Sequence, residues 1–240
     1  MKPSILSPGE LKQFSRQIKA LEPGIEGQEK LKYSEVIING MDGIGIAVLR
    51  CLLAAGIGRI KIIDNRTVNE DMLPSQTLFG MNDYGKLRTL AARQNNIDGL
   101  NKNVTVLNTV MTSDNVDRLI GNAKVVIEIL QSNQLALNLI DLADKKGFYL
   151  AGGFGIDWKG AYGIYCGNNK EKYKETVTSL FQHLHPYDNE QAYFSFISNI
   201  IGGAIAGKTI KALLNIGKEQ SSLYEVNMLD FKIIPHLGNY

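Results

Sequence analysis

Cysteine is scarce in this sequence, with only Cys51 and Cys166 among 240 residues. Two thiols are too few for a four-cysteine zinc site, and they argue against a disulfide-based scaffold. Cys51 falls in an apolar helical stretch, a setting that predicts a buried side chain acting as a small hydrophobe. The histidines follow no metal-ligand spacing; they are His183, His185 and His236. We therefore expect no zinc and no metal site built from protein ligands.

Long apolar runs and an excess of one charge are also lacking. No segment reaches the ~18 continuous apolar residues of a membrane-spanning helix, and residues 1–14 have no apolar core of signal-peptide length. The 26 basic and 24 acidic residues leave a net charge of +2, and the basic residues are scattered rather than clustered. We expect a cytoplasmic protein that binds neither membrane nor nucleic acid.

Residues 36–64 carry the most informative pattern in the chain. A β-branched run at 36–38 enters a glycine-rich turn at 40–45, and an apolar helical segment follows. A second strand at 59–63 then ends on Asp64. The order of strand, turn, helix, strand and acid is typical of a nucleotide-binding βαβ unit.

One position of the turn departs from the dinucleotide fingerprint G-x-G-x-x-G. Gly40, Gly43 and Gly45 are present, but Asp42 stands where the fingerprint has its middle glycine. A side chain there occupies the place where the backbone approaches a nucleotide. Its carboxylate can also cap the helix N–H groups that would bind a phosphate, and it would repel the phosphate. The turn therefore predicts the fold more firmly than it predicts phosphate binding.

Strands and helices alternate along the core of the chain. Further strands are predicted at 104–110, 124–130 and 148–151, and helices at 87–100, 115–120 and 135–146. This alternation predicts an α/β fold with a doubly wound, mostly parallel sheet. A glycine-rich phrase at 152–155 interrupts the alternation, and an apolar helix at 194–216 and a hairpin at 223–234 follow it.

We expect one domain over residues 1–240. Its parts are an N-terminal helical arm at 1–34, a nucleotide-binding core at 35–155 and a C-terminal portion at 156–240 that contacts the substrate or a second subunit. The arm begins with a helix that Ser7 caps and in which Glu10 completes a capping box. The stretch 65–86 has few periodic apolar residues, and a loop of that length is usually functional or mobile.

Five ordered phrases resemble the ThiF/MoeB family of adenylating enzymes, which also includes the ubiquitin-activating enzymes. They are FSRQI at 14–18, GQEKL at 27–31, the strand with its glycine turn, AAGIGRI at 54–60, and QTLF at 76–79 followed by GK at 85–86. The resemblance implies a homodimer that uses ATP, with or without magnesium, to activate a carboxylate. The carboxylate would belong to a small molecule, a peptide or a small carrier protein.

The resemblance also assigns roles to single residues. It implies that Asp64 accepts hydrogen bonds from the ribose, and that Arg16 reaches across a dimer interface to the phosphates. Gln76 matches a family glutamine, and Lys86 precedes a predicted helix start that suits a phosphate. Arg88 keeps the charge of a family lysine.

Several other positions depart from the family pattern. Arg66 replaces a second acid near the ribose, Met72 replaces an asparagine, and Ser75 replaces the catalytic arginine. Gln131 replaces the magnesium-binding acid, and a neutral amide is a poorer ligand for a hard dication. The zinc-binding cysteine pairs are absent, and Cys166 is the one candidate for a family reactive cysteine.

Two hypotheses follow. In the first, the protein is an adenylyltransferase in which Arg16, Lys86 and Arg88 act in catalysis and the turn, Asp64, Arg66, Gln76 and Gln131 bind the nucleotide. In the second, it is a catalytically degenerate member that serves as a dimeric scaffold or binds a ligand. A Rossmann oxidoreductase would explain the βαβ unit but not the phrases FSRQI, GQEKL and QTLF.

Overall fold

A computed structural model describes residues 5–96, 103–129, 132–184, 194–217 and 220–238. The strands are β1 (Glu35–Asn39), β2 (Arg59–Ile63), β3 (Val104–Leu107), β4 (Val125–Ile129), β5 (Tyr149–Ile156), β6 (Lys159–Tyr165), β7 (Ser222–Asn227) and β8 (Lys232–Leu237). The helices are α1 (Pro8–Gln13), α2 (Ser15–Ala20), α3 (Gly24–Tyr33), α4 (Gly43–Ala55), α5 (Arg88–Asn96), α6 (Val116–Ile120), α7 (Asn133–Lys146), α8 (Lys170–Leu184) and α9 (Ser195–Leu214).

The strands form one sheet in the order β3-β2-β1-β4-β5-β6-β7-β8. The five strands from β3 to β5 are parallel, and the three that follow pair antiparallel. This arrangement confirms the predicted α/β fold with a mostly parallel sheet. The predicted C-terminal hairpin, β7 and β8, continues the same sheet.

Helices cover both faces of the parallel strands. In β1, Val36 and Ile38 face the core formed with α4 and α9, whereas Ile37 faces the core formed with α6, α7 and α8. All three side chains are fully buried. Burial on both faces explains why the strand has an uninterrupted apolar sequence rather than an alternating one.

Helix α9 lies directly against α4, and a glycine sets their separation. A Cβ on Gly202 would stand 2.6 Å from the Cβ of Ala47 and 2.9 Å from the carbonyl oxygen of Ile44. Ile201 and Ile205 of α9 are fully buried beside it. The predicted apolar helix therefore packs largely within its own chain.

The N-terminal arm closes the far end of α4. Ser7 caps α1 and Glu10 completes the predicted capping box. The side chains of Gln17 and Gln28 both donate hydrogen bonds to the carbonyl oxygen of Ala55, in the last turn of α4. These contacts place α2 at the end of α4 opposite the glycine turn.

Two sequence expectations, for the glycine phrase and for Cys51, are wrong in detail. The glycine phrase at 152–155 lies inside β5 and does not end the strand. Side chains on Gly152 and Gly153 would overlap the carbonyl oxygens of Glu128 and Ala161 on the two adjacent strands. Cys51, expected to be buried, is exposed because it lies on the outer face of α4.

Helix α3 lies within the predicted helical arm, whereas α8, which carries a polar sequence, is not among the predicted elements. Other predicted elements are present with shorter bounds, among them α5 and β3. Among the described residues, no helix has the length and apolarity to span a membrane.

We expect Gly202→Ala to destabilise the protein by about 1–3 kcal/mol, because the added methyl group must push α9 away from α4. Gly207→Ala is the matched control, since a Cβ there meets open space in the same helix. That variant should be neutral or stabilising by up to about 1 kcal/mol. Urea unfolding measures both changes, and equal free energies of unfolding for the two variants would contradict the close packing.

Candidate nucleotide site

The candidate site lies at the carboxyl ends of β1, β2 and β4. The glycine turn follows β1 and Asp64 follows β2, so both meet at this edge of the sheet. An open cleft of about 340 Å³ lies there, lined by Gly40, Asp64, Arg66, Thr112 and Ser132 among others. Strand order reverses between β1 and β4, and ligands of open α/β sheets bind outside such a switch point.

The glycines of the turn are required by close contacts. Gly40 has a φ of +103°, which disfavours any residue with a side chain. A Cβ on Gly43 would overlap the carbonyl oxygen of Ser75, and one on Gly45 would overlap that of Gly40. The turn is therefore packed tightly between α4 and the loop that contains Ser75.

Asp42 caps α4, which confirms the predicted role of its carboxylate. Its Oδ1 accepts hydrogen bonds from the backbone N–H groups of Ile44 (3.0 Å) and Gly45 (3.1 Å). Its Oδ2 is buried and has no hydrogen-bond partner among the described residues. Burial raises the pKa of Asp42. Two of the first N–H groups of α4 are thus already bound, by a carboxyl group whose ionisation is disfavoured.

Asp64 is buried and accepts four hydrogen bonds. Oδ2 accepts from the N–H of Met41 (2.7 Å) and from Nη2 of Arg66 (2.6 Å). Oδ1 accepts from the backbone N–H of Arg66 (2.8 Å) and from its Nε (3.0 Å). Burial alone would raise the pKa of Asp64, but the hydrogen bonds and charge of Arg66 together with the Met41 N–H lower it. Asp64 is therefore an ionised carboxylate held by its neighbours.

Lys86 and Arg88 contact the loop between β2 and α5. Arg88 is buried; its Nε donates to the carbonyl oxygen of Thr67 (2.9 Å) and its Nη2 to Oδ1 of Asn69 (3.1 Å). Burial, followed by the charge of Arg66, lowers the pKa of Arg88. Lys86 pairs with Asp83 at 3.1 Å, and its side chain is 43% exposed. Of the two, Lys86 has the more exposed side chain, and neither residue lines the cleft.

Gln76 is buried and bonds to its own loop. Its Oε1 accepts from the N–H groups of Leu78 (2.5 Å) and Phe79 (2.7 Å), and its Nε2 donates to the carbonyl oxygen of Phe79 (3.1 Å). Its contact with a nucleotide stays a prediction. Ser75, at the position of the family arginine, donates to the carbonyl oxygen of Met72 (2.8 Å).

Arg16 and Cys166 lie away from the cleft. Arg16 is exposed on α2, beside Gln17 at the last turn of α4. The 13 residues of α4 separate that end from the turn by about 20 Å. Cys166 follows β6, whose end pairs with the start of β5 at the opposite edge of the sheet. Gln131 and His185 lie outside the described residues.

Glu128 is a site residue without a predicted role. It lies within β4, and its Oε2 accepts a hydrogen bond from Nδ2 of Asn39 at 2.6 Å. Burial, reinforced by nearby Asp42 and opposed by Asn39 and Arg66, raises its pKa to about 8. Glu128 lines both the cleft and an adjoining apolar pocket. The sequence signal that could have identified Glu128 is its place as a single acid within an otherwise apolar strand.

No group of three or more His, Cys, Asp or Glu side chains within the described ranges is arranged to hold a metal ion. The site therefore offers hydrogen-bonding side chains, one ionised carboxylate at Asp64 and two carboxyl groups, Asp42 and Glu128, whose ionisation is disfavoured. Such a site can bind a polar ligand that brings its own charge.

Comparison with known proteins gives a match to the ThiF family over residues 14–236. The chain is 26% identical over 220 residues to a sulfur carrier protein adenylyltransferase of Thermus thermophilus, covering 87% of this chain and 80% of that relative. It is 30% identical over 154 residues to a sulfur carrier protein ThiS adenylyltransferase of Bacillus subtilis, covering 63% of this chain and 45% of that relative. The chain thus aligns with less than half the length of the second relative.

A solved structure has the same fold. The chain superimposes on the crystal structure of selenomethionine-labelled PaaA with a TM-score of 0.81 at 19% identity, over 98% of this chain and 85% of that one. At this level of identity the likeness establishes the fold alone.

We expect Glu128→Gln to weaken the dependence of stability on pH. Wild-type Glu128 keeps its proton in the folded state up to about pH 8, whereas in the unfolded chain it ionises near 4.5. The contribution of Glu128 to the free energy of unfolding therefore falls as pH rises between these values, by up to about 1.4 kcal/mol per pH unit. Above about pH 8 this contribution no longer changes with pH.

Urea unfolding at several pH values in this window measures the effect. The free energy of unfolding of Glu128→Gln should increase relative to the wild type as pH rises. Glu26→Gln, at an exposed position, is the control, and its free energy of unfolding should differ from that of the wild type by the same amount at every pH. A constant difference for Glu128→Gln as well would show that Glu128 titrates normally.

Proposed function

The chain belongs to the ThiF family, and we propose that it uses ATP to adenylate a carboxylate. The observation that carries this proposal is the position of Asp64. It follows β2 beside the glycine turn and lines the cleft at the switch point, where an acid can accept hydrogen bonds from ribose hydroxyls. The order of these features is that of a nucleotide-binding βαβ unit.

The residues present fit the adenosine half of ATP better than its phosphates. The cleft is lined by hydroxyl and amide side chains, and its volume of about 340 Å³ is of the size of a small-molecule site. At the start of α4, by contrast, Asp42 uses two of the N–H groups that would bind a phosphate. Its raised pKa lessens the repulsion that an ionised carboxylate would exert.

Adenylation makes a carboxylate reactive by joining it to AMP. A carboxylate oxygen forms a bond to the α-phosphorus of ATP, the bond from that phosphorus to the bridging oxygen breaks, and pyrophosphate leaves. Cations near the triphosphate lower the barrier by neutralising charge. Within the chain we assign this role to Lys86, with Arg88 holding the loop that carries it. Magnesium would bind chiefly to the phosphates themselves.

We propose a peptide or small carrier protein as the carboxylate substrate. The two relatives above are named for sulfur carrier proteins. In this chain, Trp158, Phe194 and Phe196 form an exposed aromatic cluster with ring centroids 5.3–5.8 Å apart. Trp158 follows β5, so the cluster lies at the same edge of the sheet as the turn. A polypeptide can pack there while its carboxylate enters the cleft.

The position of Arg16 favours a homodimer. Since α4 separates Arg16 from the turn of its own chain by about 20 Å, this guanidinium can reach phosphates only in another subunit. A two-fold dimer would give each site one Arg16 from the other chain.

A scaffold without adenylation activity is the second candidate. The pairing of Arg66 with Asp64 and the capping of α4 by Asp42 favour it, because both contacts use groups that a nucleotide needs. A measurement of nucleotide binding distinguishes the adenylyltransferase from the scaffold.

We expect saturating ATP with magnesium to raise the melting temperature by about 5–10 °C, and Asp64→Ala to abolish this shift because the ribose loses its acceptor. Asp117→Ala is the matched control, since that carboxylate is exposed and pairs with Lys146. Differential scanning fluorimetry gives the result. No shift in the wild type at millimolar ATP would favour the scaffold.

We expect Arg16→Ala and Asp64→Ala each to lose ATP–pyrophosphate exchange with an accepted substrate. A one-to-one mixture of refolded chains should regain about a quarter of wild-type exchange, because half of the dimers then contain one intact site. Recovery fails if Arg16 acts on its own chain or has no role in the reaction.

A further inference from the structure

The contact between Arg66 and Asp64 occupies the carboxylate assigned to the ribose. The guanidinium approaches with Nε on one oxygen (3.0 Å) and Nη2 on the other (2.6 Å). This two-pronged geometry is the strongest form of an ion pair between arginine and a carboxylate. The resulting pair closes the Asp64 face of the cleft, which Arg66 also lines.

The acceptor capacity of Asp64 is filled by these contacts. An ionised carboxylate offers about four lone-pair positions. Asp64 accepts four hydrogen bonds, two from the backbone N–H groups of Met41 and Arg66 and two from the Arg66 side chain. The backbone bonds hold the turn and the end of β2. Two ribose hydroxyls can therefore bind only in place of the guanidinium.

We propose that the Arg66 side chain blocks the ribose site in the free protein, and that nucleotide binding requires it to leave Asp64. This inference rests on the proposed function. It makes Arg66 a residue that sets nucleotide affinity by competing with the ribose hydroxyls, rather than one that adds positive charge for the phosphates.

The two partners differ in their freedom to move. The Asp64 side chain is 2% exposed, whereas the Arg66 side chain is 36% exposed at the edge of the cleft. Asp64 stays in place through the two backbone bonds when the guanidinium leaves. The acidic groups Asp42 and Glu128 remain within electrostatic reach of Arg66. Displacement of Arg66 therefore needs a side-chain rotation and no change of fold.

The test compares ATP with 2′,3′-dideoxy-ATP, which has the same phosphates but no ribose hydroxyls. Isothermal titration calorimetry gives both dissociation constants for the wild type and for Arg66→Ala. Because both nucleotides carry the same triphosphate, loss of the Arg66 charge changes both affinities equally through the phosphates, and this effect cancels in the ratio of the two affinities. We expect the preference for ATP to rise about two- to fivefold in Arg66→Ala, the size of a partly exposed ion pair.

Arg59→Ala is the matched control. Arg59 pairs with Glu35 at 3.2 Å at the other end of β2, about 17 Å from Asp64. Its removal should leave the preference unchanged. Arg66→Lys provides a second variant that keeps the charge but loses the two-pronged contact, so its preference for ATP should also rise.

Two negative results have different meanings. If the wild type binds ATP and the preference is the same in Arg66→Ala and Arg66→Lys, the blocking role is wrong and the proposed function stands. If neither the wild type nor the variants bind either nucleotide, the proposed function fails and this inference fails with it.

Discussion

The hydrogen bond from the Met41 N–H to the Asp64 carboxylate links the glycine turn to the end of β2, and the candidate site depends on this link. The turn can take its shape because Gly43 and Gly45 let α4, α9 and the Ser75 loop approach without side chains between them. Asp64 is buried by the same packing, so its charge must be met by donors that the fold supplies. Arg66 supplies two of them from its side chain.

Most ionisable side chains of the site are bonded within the protein, although Oδ2 of Asp42 has no partner among the described residues. Asp42 caps α4, Asp64 binds Arg66, Lys86 binds Asp83, and Arg88 holds the loop through Thr67. A buried polar group without a partner costs free energy in a low-dielectric environment, so these contacts stabilise the ligand-free chain. A ribose bound at Asp64 must replace the contact with Arg66, whose side chain is partly exposed and can move. The family fold is therefore compatible with the changed residues Asp42 and Arg66 in the candidate site.

Local sequence signals predicted the parts of the structure that depend on neighbours in the chain. The Ser7 capping box, the bounds of β2 and the capping by Asp42 were all read from adjacent residues. The position of Gly152 and Gly153 inside β5 depends on carbonyl oxygens of other strands, and no local pattern reports it. Nor could the sequence show that Arg66 turns back to Asp64 instead of facing a phosphate, because either rotamer suits the same residue.

The most direct test of the account is a crystal structure of the protein with a non-hydrolysable ATP analogue. We expect ribose hydroxyls within hydrogen-bond distance of Asp64, the Arg66 guanidinium displaced from that carboxylate, and phosphates near the start of α4 and Lys86. A nucleotide bound elsewhere, or a ribose in the cleft beside an intact Arg66–Asp64 pair, would contradict it.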